Sequence, residues 1–492
     1  PAAPAAPTAP ADSARAAEYA ASPLQDVMIR RAGTGPGPYA DQFVFRLAGE
    51  LDVTVMRRAL ALLARRHPAL RAAFRTGADG RTVQAIADEV TPELTESDLS
   101  GLPESEREER LRQLLETDQD TAFDLARPPL VRCAAVRVGP GDGRFVLTLA
   151  PLLLDGWSLP LVLGELWMTY MTGADEAMLP PAPPPGHHAY AQWLERFDAA
   201  ADADAWHVVL DDLPEAAPLA EPVEATGRVT VVENVVTLTE TVTAALTARA
   251  RAHDLTLNTL VTGAWGLLLG ELTGRDEQVF GVTVAGRPAE LPQLDQASGM
   301  FMNNLPVRFG PRAGETVREA LHRLQREQAG LIAHQHVSLA ELSRIAGRDQ
   351  LFDTVVVFES APTTAAPPPP PPGPPPMPPG PGGPGGPGGP GGPGGPDGPG
   401  APAGPGGPFA PPPHLVQILG MEAHDAARVP LRFAIAPGER LGILAQYWSE
   451  AFAPGRIEEI QNRFVHLLGA FAEDLDRPVS SLPLRTTGGA GR

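Results

Sequence analysis

A tract of proline and glycine sets the first limit on what this chain folds into. From Pro367 to Pro413 it contains almost nothing else, with repeated Gly-Gly-Pro triplets. Such a composition cannot bury enough apolar surface to build a core. We therefore expect a disordered, extended insertion within the second half of the chain. A spacer or no role at all is the favoured interpretation, and a partner-binding proline tract is the alternative.

The charge balance excludes several classes of partner. The chain has 492 residues, 43% of them hydrophobic, and a formal net charge of -20. Nucleic acids and anionic membranes both attract basic surfaces, so neither is an expected partner. No apolar run is long enough for a membrane span, which predicts a cytoplasmic protein. The single cysteine, Cys133, excludes a disulfide framework and is expected to be a buried residue of a strand.

Every one of the 39 basic residues is arginine. The absence of lysine excludes a P-loop lysine and a Schiff-base lysine. Together with the abundant Ala, Gly and Pro, it indicates a high-GC genome of the actinobacterial kind. Residues 1–17 are rich in Pro and Ala and read as a semi-rigid linker, as in a piece cut from a longer protein.

Hydrophobic periodicity predicts strands and helices in both halves of the chain. The predicted strands are 43–47, 131–138, 145–149, 229–238, 278–285, 352–358, 431–435 and 441–448. The predicted helices are 53–66, 104–118, 159–171, 188–210, 242–252, 257–268, 316–333 and 455–475. This mixture indicates an α/β protein with two lobes, at 18–180 and 229–484, joined by an interlobe connection at 181–228. Residues 485–492 are a C-terminal linker.

Several separated blocks follow one another at a familiar spacing. They are Ser-Pro-Leu-Gln at 22–25, Arg-His-Pro-Ala-Leu-Arg at 66–71, Leu-Leu-Asp-Gly-Trp-Ser at 153–158, Phe-Gly-Val-Thr-Val-Ala-Gly-Arg-Pro at 280–288, Gly-Met-Phe-Met-Asn-Asn-Leu-Pro-Val-Arg at 299–308, His-Gln-His at 334–336 and Leu-Phe-Asp-Thr at 351–354. As an ordered set they resemble the condensation domains of nonribosomal peptide synthetases. The first and third blocks are most similar to the subtype that accepts a donor ending in a D-residue.

The resemblance implies a fold of two chloramphenicol-acetyltransferase-like lobes arranged in a V around a central tunnel. It also implies an upstream donor and a downstream acceptor peptidyl carrier protein, each delivering a thioester on a phosphopantetheine arm. The domain itself would hold no cofactor. Residues 477–484 resemble the linker into an adenylation domain, which would be a further neighbour.

The active-site motif of the family, His-His-x-x-x-Asp-Gly, is degenerate here. Asp155 and Gly156 fix the register, and the two histidine positions are then Ala150 and Pro151. Neither residue has a side chain that accepts a proton. The resemblance therefore implies that His-dependent amide formation is impaired or lost, and no residue is assigned as catalytic with certainty.

The same resemblance assigns other roles. It implies a buried ion pair between Asp155 and Arg287, which would hold the scaffold together. The candidate residues for the tunnel or for substrate contacts are Trp157, Ser158, Ser298, Gly299 and Asn304. For Ser158, a helix N-cap ahead of the helix at 159–171 is the favoured interpretation.

The remaining histidines do not offer a replacement base. His187 and His188 lack a following Asp-Gly and are interpreted as structural or solvated. His334 and His336 are spaced at i, i+2, which does not place both on one helix face, and no partner carboxylate is evident. We therefore predict no metal site.

Three interpretations stay open. The first is a condensation-like domain that binds carrier proteins and docks a trans-acting tailoring enzyme, such as an oxygenase. The second is a working condensation enzyme that relies on substrate positioning. The third is a changed reaction on a tethered peptide, for which no base can be nominated.

Overall fold

The structure of the protein is a computed structural model that describes residues 17–31, 40–77, 80–213, 217–223, 229–359, 416–424 and 429–483. Most of the predicted N-terminal linker lies outside the described residues. So do the predicted Pro/Gly insertion at 367–413 and the C-terminal linker at 485–492.

The first half of the chain alternates short strands with helices. Its elements are β1 (Ala17–Ala20), α1 (Pro23–Arg31), β2 (Asp41–Ala48), α2 (Val53–Arg66), β3 (Ala72–Thr76), β4 (Thr82–Ile86), β5 (Glu93–Asp98), α3 (Glu104–Asp120), β6 (Val131–Gly139), β7 (Asp142–Leu149), α4 (Ser158–Met171), α5 (Gly186–Leu194) and α6 (Ala199–Leu210).

The second half repeats the mixture with longer helices. Its elements are β8 (Val231–Thr237), α7 (Glu240–Ala252), α8 (Leu257–Thr273), β9 (Gln278–Val284), β10 (Asn303–Phe309), α9 (Val317–Gly330), α10 (Leu339–Ala346), β11 (Thr354–Phe358), β12 (Gln417–His424), β13 (Leu431–Ala436), β14 (Gly442–Trp448) and α11 (Arg456–Glu473).

Helix α2 shows how local sequence fixes an element. The Asp52 side chain accepts a hydrogen bond from the Val55 amide and so caps the first turn. Apolar residues at helical spacing, including Met56 and Leu63, are buried against the sheet. The helix ends before His67 because Pro68 disfavours helical geometry in the residue that precedes it. The predicted bounds of this helix are confirmed.

Each half has its own main sheet. The order of the five-stranded sheet is β12-β2-β7-β6-β5, and that of the six-stranded sheet is β10-β9-β11-β13-β14-β8. The predicted strands 131–138 and 145–149 are present as the antiparallel pair β6–β7, which forms a hairpin. A small third sheet, β1-β4-β3, lies beside the N-terminal one. Helices pack on these sheets and enclose two separate large apolar cores, one in each half.

Strand β12 crosses from one half to the other. Its position in the sequence predicts a place in the C-terminal lobe, yet it pairs antiparallel with β2 at the edge of the five-stranded sheet. The prediction fails because a strand joins whichever sheet offers a free edge, and sequence position does not determine which one. The two halves are therefore linked by backbone hydrogen bonds as well as by side-chain contacts.

The predicted helix at 188–210 is wrong in one respect. The structure has two helices, α5 and α6, separated by residues 195–198. The Asp198 carboxylate accepts a hydrogen bond from the Ala200 amide and caps the second helix. A capping aspartate of this kind favours a new helix start over continuation of the previous helix.

Candidate functional site

The two positions at which the family motif has histidines, Ala150 and Pro151, are buried and apolar in this structure. Ala150 is 1% exposed, and its amide donates to the Leu130 carbonyl at 2.9 Å. Pro151 is also buried and lies at the edge of a large cavity. Neither residue offers a proton acceptor, so this stretch of the loop contributes shape alone.

The cavity has a volume of about 2080 Å³ and is lined by both halves of the chain. That is larger than the roughly 300–1,000 Å³ of ordinary small-molecule sites, which suits an extended ligand. Its lining includes these residues of the two halves: Pro151, Asp155, Gly156, Trp157, Asn258, Arg287, Asn304, Gln335, Asp353, His424 and Arg432.

Asp155 is the centre of a buried polar network beside this cavity. Its carboxylate accepts from Arg287 through Nη1 at 2.8 Å and through Nη2 at 3.1 Å, and the two side chains are 1% and 3% exposed. It also accepts from the backbone amides of Ser158, Phe301 and Met302. All of its hydrogen-bonding capacity is committed, so Asp155 is unsuited to proton transfer and suited to anchoring.

Ser158 joins the same network, but not as the predicted N-cap. It is the first residue of α4, and its hydroxyl donates to the Gly299 carbonyl at 2.9 Å. The hydroxyl also accepts from the Gly299 amide and from Arg287 Nη2. The prediction is wrong because Asp155 already accepts the hydrogen bond from the Ser158 amide, which leaves the hydroxyl free to bridge the two halves.

A close backbone approach locks Arg287 into place. Gly286 has a φ of +63°, and a Cβ there would lie 1.7 Å from the Phe301 carbonyl oxygen. Only glycine fits this position. The Arg287 guanidinium stacks over the rings of Phe301 and Trp157, at 4.9 and 5.4 Å from their centres.

Gly156 and Trp157 form the part of the motif loop that faces the cavity. Gly156 is exposed, and no heavy atom of the described structure lies within 4 Å of a Cβ built on it. A side chain introduced there would meet open space at the edge of the cavity, which Gly156 lines. The Trp157 indole donates to the Asp295 carbonyl at 3.0 Å, which fixes the ring at the cavity edge.

A second buried link, which sequence analysis missed, lies behind the loop. His67 Nδ1 is 3.0 Å from Ser298 Oγ, and His67 Nε2 is 3.1 Å from a Glu165 carboxylate oxygen. His67 and Ser298 are 1% and 4% exposed, and neither lines the cavity. Although burial disfavours the charged form of Glu165, hydrogen bonds from His67 and Arg66 lower its pKa. Ser298 therefore lies in a contact between the halves.

His187 and His188 are adjacent in sequence but differ in their exposure to solvent. His188 is exposed and packs edge-on to Tyr19. His187 is buried near Gly299 and Phe301, and neither of its ring nitrogens has a hydrogen-bond partner among the described residues. Burial lowers the pKa of His187 to about 4, so the ring is neutral at pH 7.

His334 and His336 do have a carboxylate partner, which corrects the sequence analysis. His334 Nδ1 is 2.6 Å from Asp202 Oδ1, and His336 Nε2 is 2.8 Å from Asp202 Oδ2. The partner was missed because Asp202 lies on α6, 132 residues from His334. Across the described part of the chain, no group of three or more His, Cys, Asp or Glu residues could hold a metal ion.

Asn304 is a predicted tunnel residue, and Cys133 is the single cysteine that the sequence places in a strand. Asn304 lines the cavity, and its Oδ1 accepts from the Thr283 hydroxyl at 2.7 Å. Cys133 is buried in β6, where burial raises the pKa of its thiol and keeps it protonated.

None of the helices in the described ranges has the length and apolarity needed to cross a bilayer.

Comparison with known proteins agrees with this geometry. The family model "Condensation domain" matches residues 15–367. One of the linear gramicidin synthase proteins of Brevibacillus parabrevis is 34% identical over 355 residues, an alignment that covers 70% of this chain and 7% of the relative. A second protein of that synthase is 29% identical over 461 residues, with 92% of this chain and 5% of the relative covered. The chain belongs to the condensation domain family of nonribosomal peptide synthetases.

Solved structures share the fold over nearly the whole chain. The first condensation domain of the calcium-dependent antibiotic synthetase aligns with a TM-score of 0.66 at 20% identity, covering 96% of this chain and 100% of that one. The complex of the X-domain and OxyB from teicoplanin biosynthesis aligns with 0.72 at 18% identity, covering 98% and 99%. The fold is thus the α/β, chloramphenicol-acetyltransferase-like architecture of condensation domains.

Proposed function

We propose that this chain binds peptides tethered to carrier proteins in its central cavity and docks a tailoring enzyme, without His-dependent amide formation. One observation carries the proposal. The cavity and its Asp155–Arg287 anchor are intact, while Ala150 and Pro151 occupy the two histidine positions. The scaffold for tethered substrates is kept, and the groups that would handle a proton are absent from those positions.

The chemistry of amide formation explains why this loss matters. As an amine attacks a thioester it becomes cationic and must lose a proton. A positioned base speeds such steps by about 10²- to 10⁴-fold. The carboxylate nearest in sequence to the lost histidines is Asp155, which is held by Arg287 and by three backbone amides. It therefore offers no free lone pair in the right place to accept that proton.

Partners follow from the family. Condensation domains of synthetases work on thioesters carried by phosphopantetheine arms, so we expect an upstream donor and a downstream acceptor carrier protein. An adjacent adenylation domain is expected as well. In support, the fold matches 34% of the length of a four-domain nonribosomal peptide synthetase, holo-AB3403, with 97% of this chain covered at a TM-score of 0.71 and 17% identity. The chain itself spans 5–7% of the length of the three gramicidin synthase proteins that it matches.

A tailoring oxygenase is the proposed trans-acting partner. The fold is shared over almost all of both chains with an X-domain whose structure was solved in complex with OxyB. That match shows the fold alone, but it supports docking of a further enzyme as a function that this architecture can serve. Apolar residues at positions 150 and 151, where the family motif has histidines, are consistent with such a role.

A second candidate is a condensation enzyme that works by positioning. The observation in its favour is the open approach at Gly156, where the cavity meets the motif loop. Holding two reactants in a productive geometry supplies a large share of a rate enhancement by itself. This candidate predicts slow but measurable amide formation.

A binding experiment tests the proposed function. A carrier protein loaded with a non-hydrolysable peptidyl thioester mimic is titrated with the domain, and then with the domain and a candidate oxygenase. We expect carrier binding, and oxygenation of the carrier-bound peptide that rises when the domain is added. The variant Gly156→Trp should weaken binding of the loaded carrier and leave binding of the unloaded carrier unchanged. The docking role would be contradicted if adding the domain did not increase oxygenation by any oxygenase from the same gene cluster.

A further inference from the structure

The cavity continues to the far edge of the six-stranded sheet, away from the motif loop. Strand β8 is the edge strand there, and five strand spacings of about 4.8 Å separate it from β10, a distance of about 24 Å. The cavity wall at this edge, here called the edge bay, is formed by these residues: Pro218, Glu221, Val231, Glu233, Gln446 and Trp448. We propose that the edge bay binds a basic side chain of the tethered peptide, several residues away from the thioester. This inference rests on the proposed carrier-binding function.

Glu233 is the carboxylate that the wall of the edge bay holds most firmly. Gln446 Nε2 donates to Glu233 Oε1 at 2.6 Å, and the two residues are paired across β14 and β8. Gln446 is 3% exposed, whereas Glu233 is exposed to the cavity. The hydrogen bond fixes one oxygen of the carboxylate and leaves the other to accept from a ligand. Among the described residues, Gln446 Oε1 has no hydrogen-bond partner, so its dipole adds negative potential at the same place.

Glu221 supplies a second carboxylate from a different element. The Asp353 carboxylate accepts from two backbone amides of the 217–223 segment, at 2.6 and 2.8 Å, and so fixes that segment against the sheet. The Glu221 amide donates to the Ala451 carbonyl at 3.0 Å, and the Ala451 amide donates to the Trp448 carbonyl at 3.0 Å. The exposed side chain of Glu221 therefore belongs to the same wall as Trp448.

The surface around these two carboxylates is apolar. Val231 and Trp448 are paired across β8 and β14, and both line the cavity together with Pro218. The methylene stem of a lysine or arginine side chain packs on such a surface, and an indole ring attracts the cation at its end. An acidic side chain would be repelled by both carboxylates. The edge bay thus combines an apolar wall for the stem with negative charge for the head of a basic side chain.

One cation lies in the same row of the sheet. Arg432 pairs in register with Gln446 on β14, which places it two strands away from Glu233. Neither Glu221 nor Glu233 forms an ion pair with a residue of the described ranges. The two carboxylates outnumber the arginine, so the net charge of this part of the wall is negative.

The place of the edge bay sets the length of peptide that reaches it. The motif loop bonds the 299–302 segment, which leads directly into β10. A thioester held beside Gly156 would therefore lie near the β10 side of the sheet, and the same cavity connects Gly156 with Glu233. Since an extended residue spans at most about 3.3–3.6 Å, about seven residues are needed to cover the distance of about 24 Å.

The test uses the whole chain and synthetic probes in calorimetry at pH 7. Each probe is an N-acetylated octapeptide of alanine and serine, joined by an amide bond to aminopantetheine. One probe has lysine at the eighth residue from this bond, another has lysine at the second residue, and each has a counterpart with norleucine in place of lysine. A hydrogen bond to a charged group corresponds to a change in Kd of about tenfold, so the probe with lysine at the eighth residue should bind about tenfold more tightly than its counterpart. At the second residue, lysine and norleucine should bind alike.

A charge-removing variant assigns the preference to the edge bay. Glu233→Gln keeps the size of the side chain and its link to Gln446 but removes the charge. We expect it to abolish most of the tenfold preference for lysine and to leave binding of the norleucine probe unchanged. Glu422→Gln is the matched control, because Glu422 is an exposed carboxylate that lines the cavity from β12, on the five-stranded sheet. This control should keep the preference.

The outcomes separate the two proposals. Equal Kd values for lysine and norleucine at the eighth residue, or an equal preference for lysine at the second residue, would overturn the inference and leave the proposed function intact. Loss of the preference in the Glu422 variant to the same degree as in the Glu233 variant would overturn it as well. If Glu233→Gln weakened oxygenase docking and left the lysine preference unchanged, the edge bay would belong to the partner enzyme and not to the peptide. Failure of every probe to bind would overturn the proposed carrier-binding function, and this inference with it.

Discussion

The two ends of the motif loop have opposite characters. At its start, Ala150 and Pro151 are buried and apolar, and they make no side-chain hydrogen bond. Further along, Asp155 and Ser158 are just as buried, yet between them they bond Arg287 and the 299–302 segment. The difference teaches that the loop can connect the two halves through Asp155 and Ser158 although neither Ala150 nor Pro151 has a side chain that accepts a proton.

The largest expected effect comes from breaking the anchor. In Asp155→Asn, Arg287 keeps its buried charge without a carboxylate partner. Removing one member of a buried pair costs about 3–5 kcal/mol, so we expect the free energy of unfolding in urea to fall by that amount.

The matched control is the ion pair of Glu341 with Arg344, whose side chains are 41% and 70% exposed. Solvent screening limits such pairs to about 1 kcal/mol or less, so Glu341→Gln should be nearly neutral. Comparable losses in the two variants would show that the Asp155 network does not anchor the halves.

Acid sensitivity provides the next test, at a residue packed against the same segment. His187 is neutral in the fold because its pKa is about 4, whereas an unfolded histidine has a pKa of about 6.5. The unfolded state therefore binds more protons between these values, and stability falls as the pH drops from 6.5 to 4, by about 3 kcal/mol in total.

The variant His187→Leu removes that contribution, and its loss of stability over the same pH range should be smaller than that of the wild type. His188→Leu, at the exposed neighbouring position, should follow the wild-type profile. Urea unfolding at pH 7 and at pH 4.5 measures both. An acid response in the His187 variant equal to that of the wild type would contradict the burial argument.

The smallest expected effect is on stability, and it comes from placing histidine at positions 150 and 151 of the motif loop. Ala150 is enclosed by the N-terminal core, so Ala150→His would overpack it and cost about 1–3 kcal/mol. Pro151 lines the cavity, where an imidazole has space to extend, so Pro151→His should cost less. Thermal unfolding of the two single variants gives this order directly, and the reverse order would show that Ala150 is the position with room.

The sequence predicted most of the fold where local periodicity was strong. Helix α2 has the expected bounds because its apolar spacing and the Asp52 cap act within a few residues. The two strands of the β6–β7 hairpin are also where the pattern predicts them, although β7 begins at Asp142 and not at 145. The pairing of β12 with β2 was not predictable in this way, since more than 300 residues separate the strands. The short strands β3, β4 and β5 carried too little pattern to be recognised. Helix α10 was missed although it is amphipathic and capped by Ser338, because it is only 8 residues long.

The site was only partly predictable for the same reason. The positions of Asp155, Gly156 and Arg287 follow from the resemblance, and the structure brings Asp155 and Arg287 together. By contrast, the contact between His67 and Ser298 joins residues 231 positions apart. The contacts of Asp202 with His334 and His336 join residues 132 and 134 positions apart. No local pattern marks such partners, because tertiary packing alone brings them together.

The most direct test of the central claim is intact-mass spectrometry of the domain with a loaded donor carrier and a loaded acceptor carrier. A reaction without the domain and the variants Pro151→His and Ala150→His/Pro151→His are measured in parallel. The account predicts no extended peptide on the acceptor above the domain-free background for the natural sequence, with both carriers shown to bind. Extended peptide well above that background would show that positioning is sufficient for amide formation, and would contradict the claim that the domain has lost this reaction.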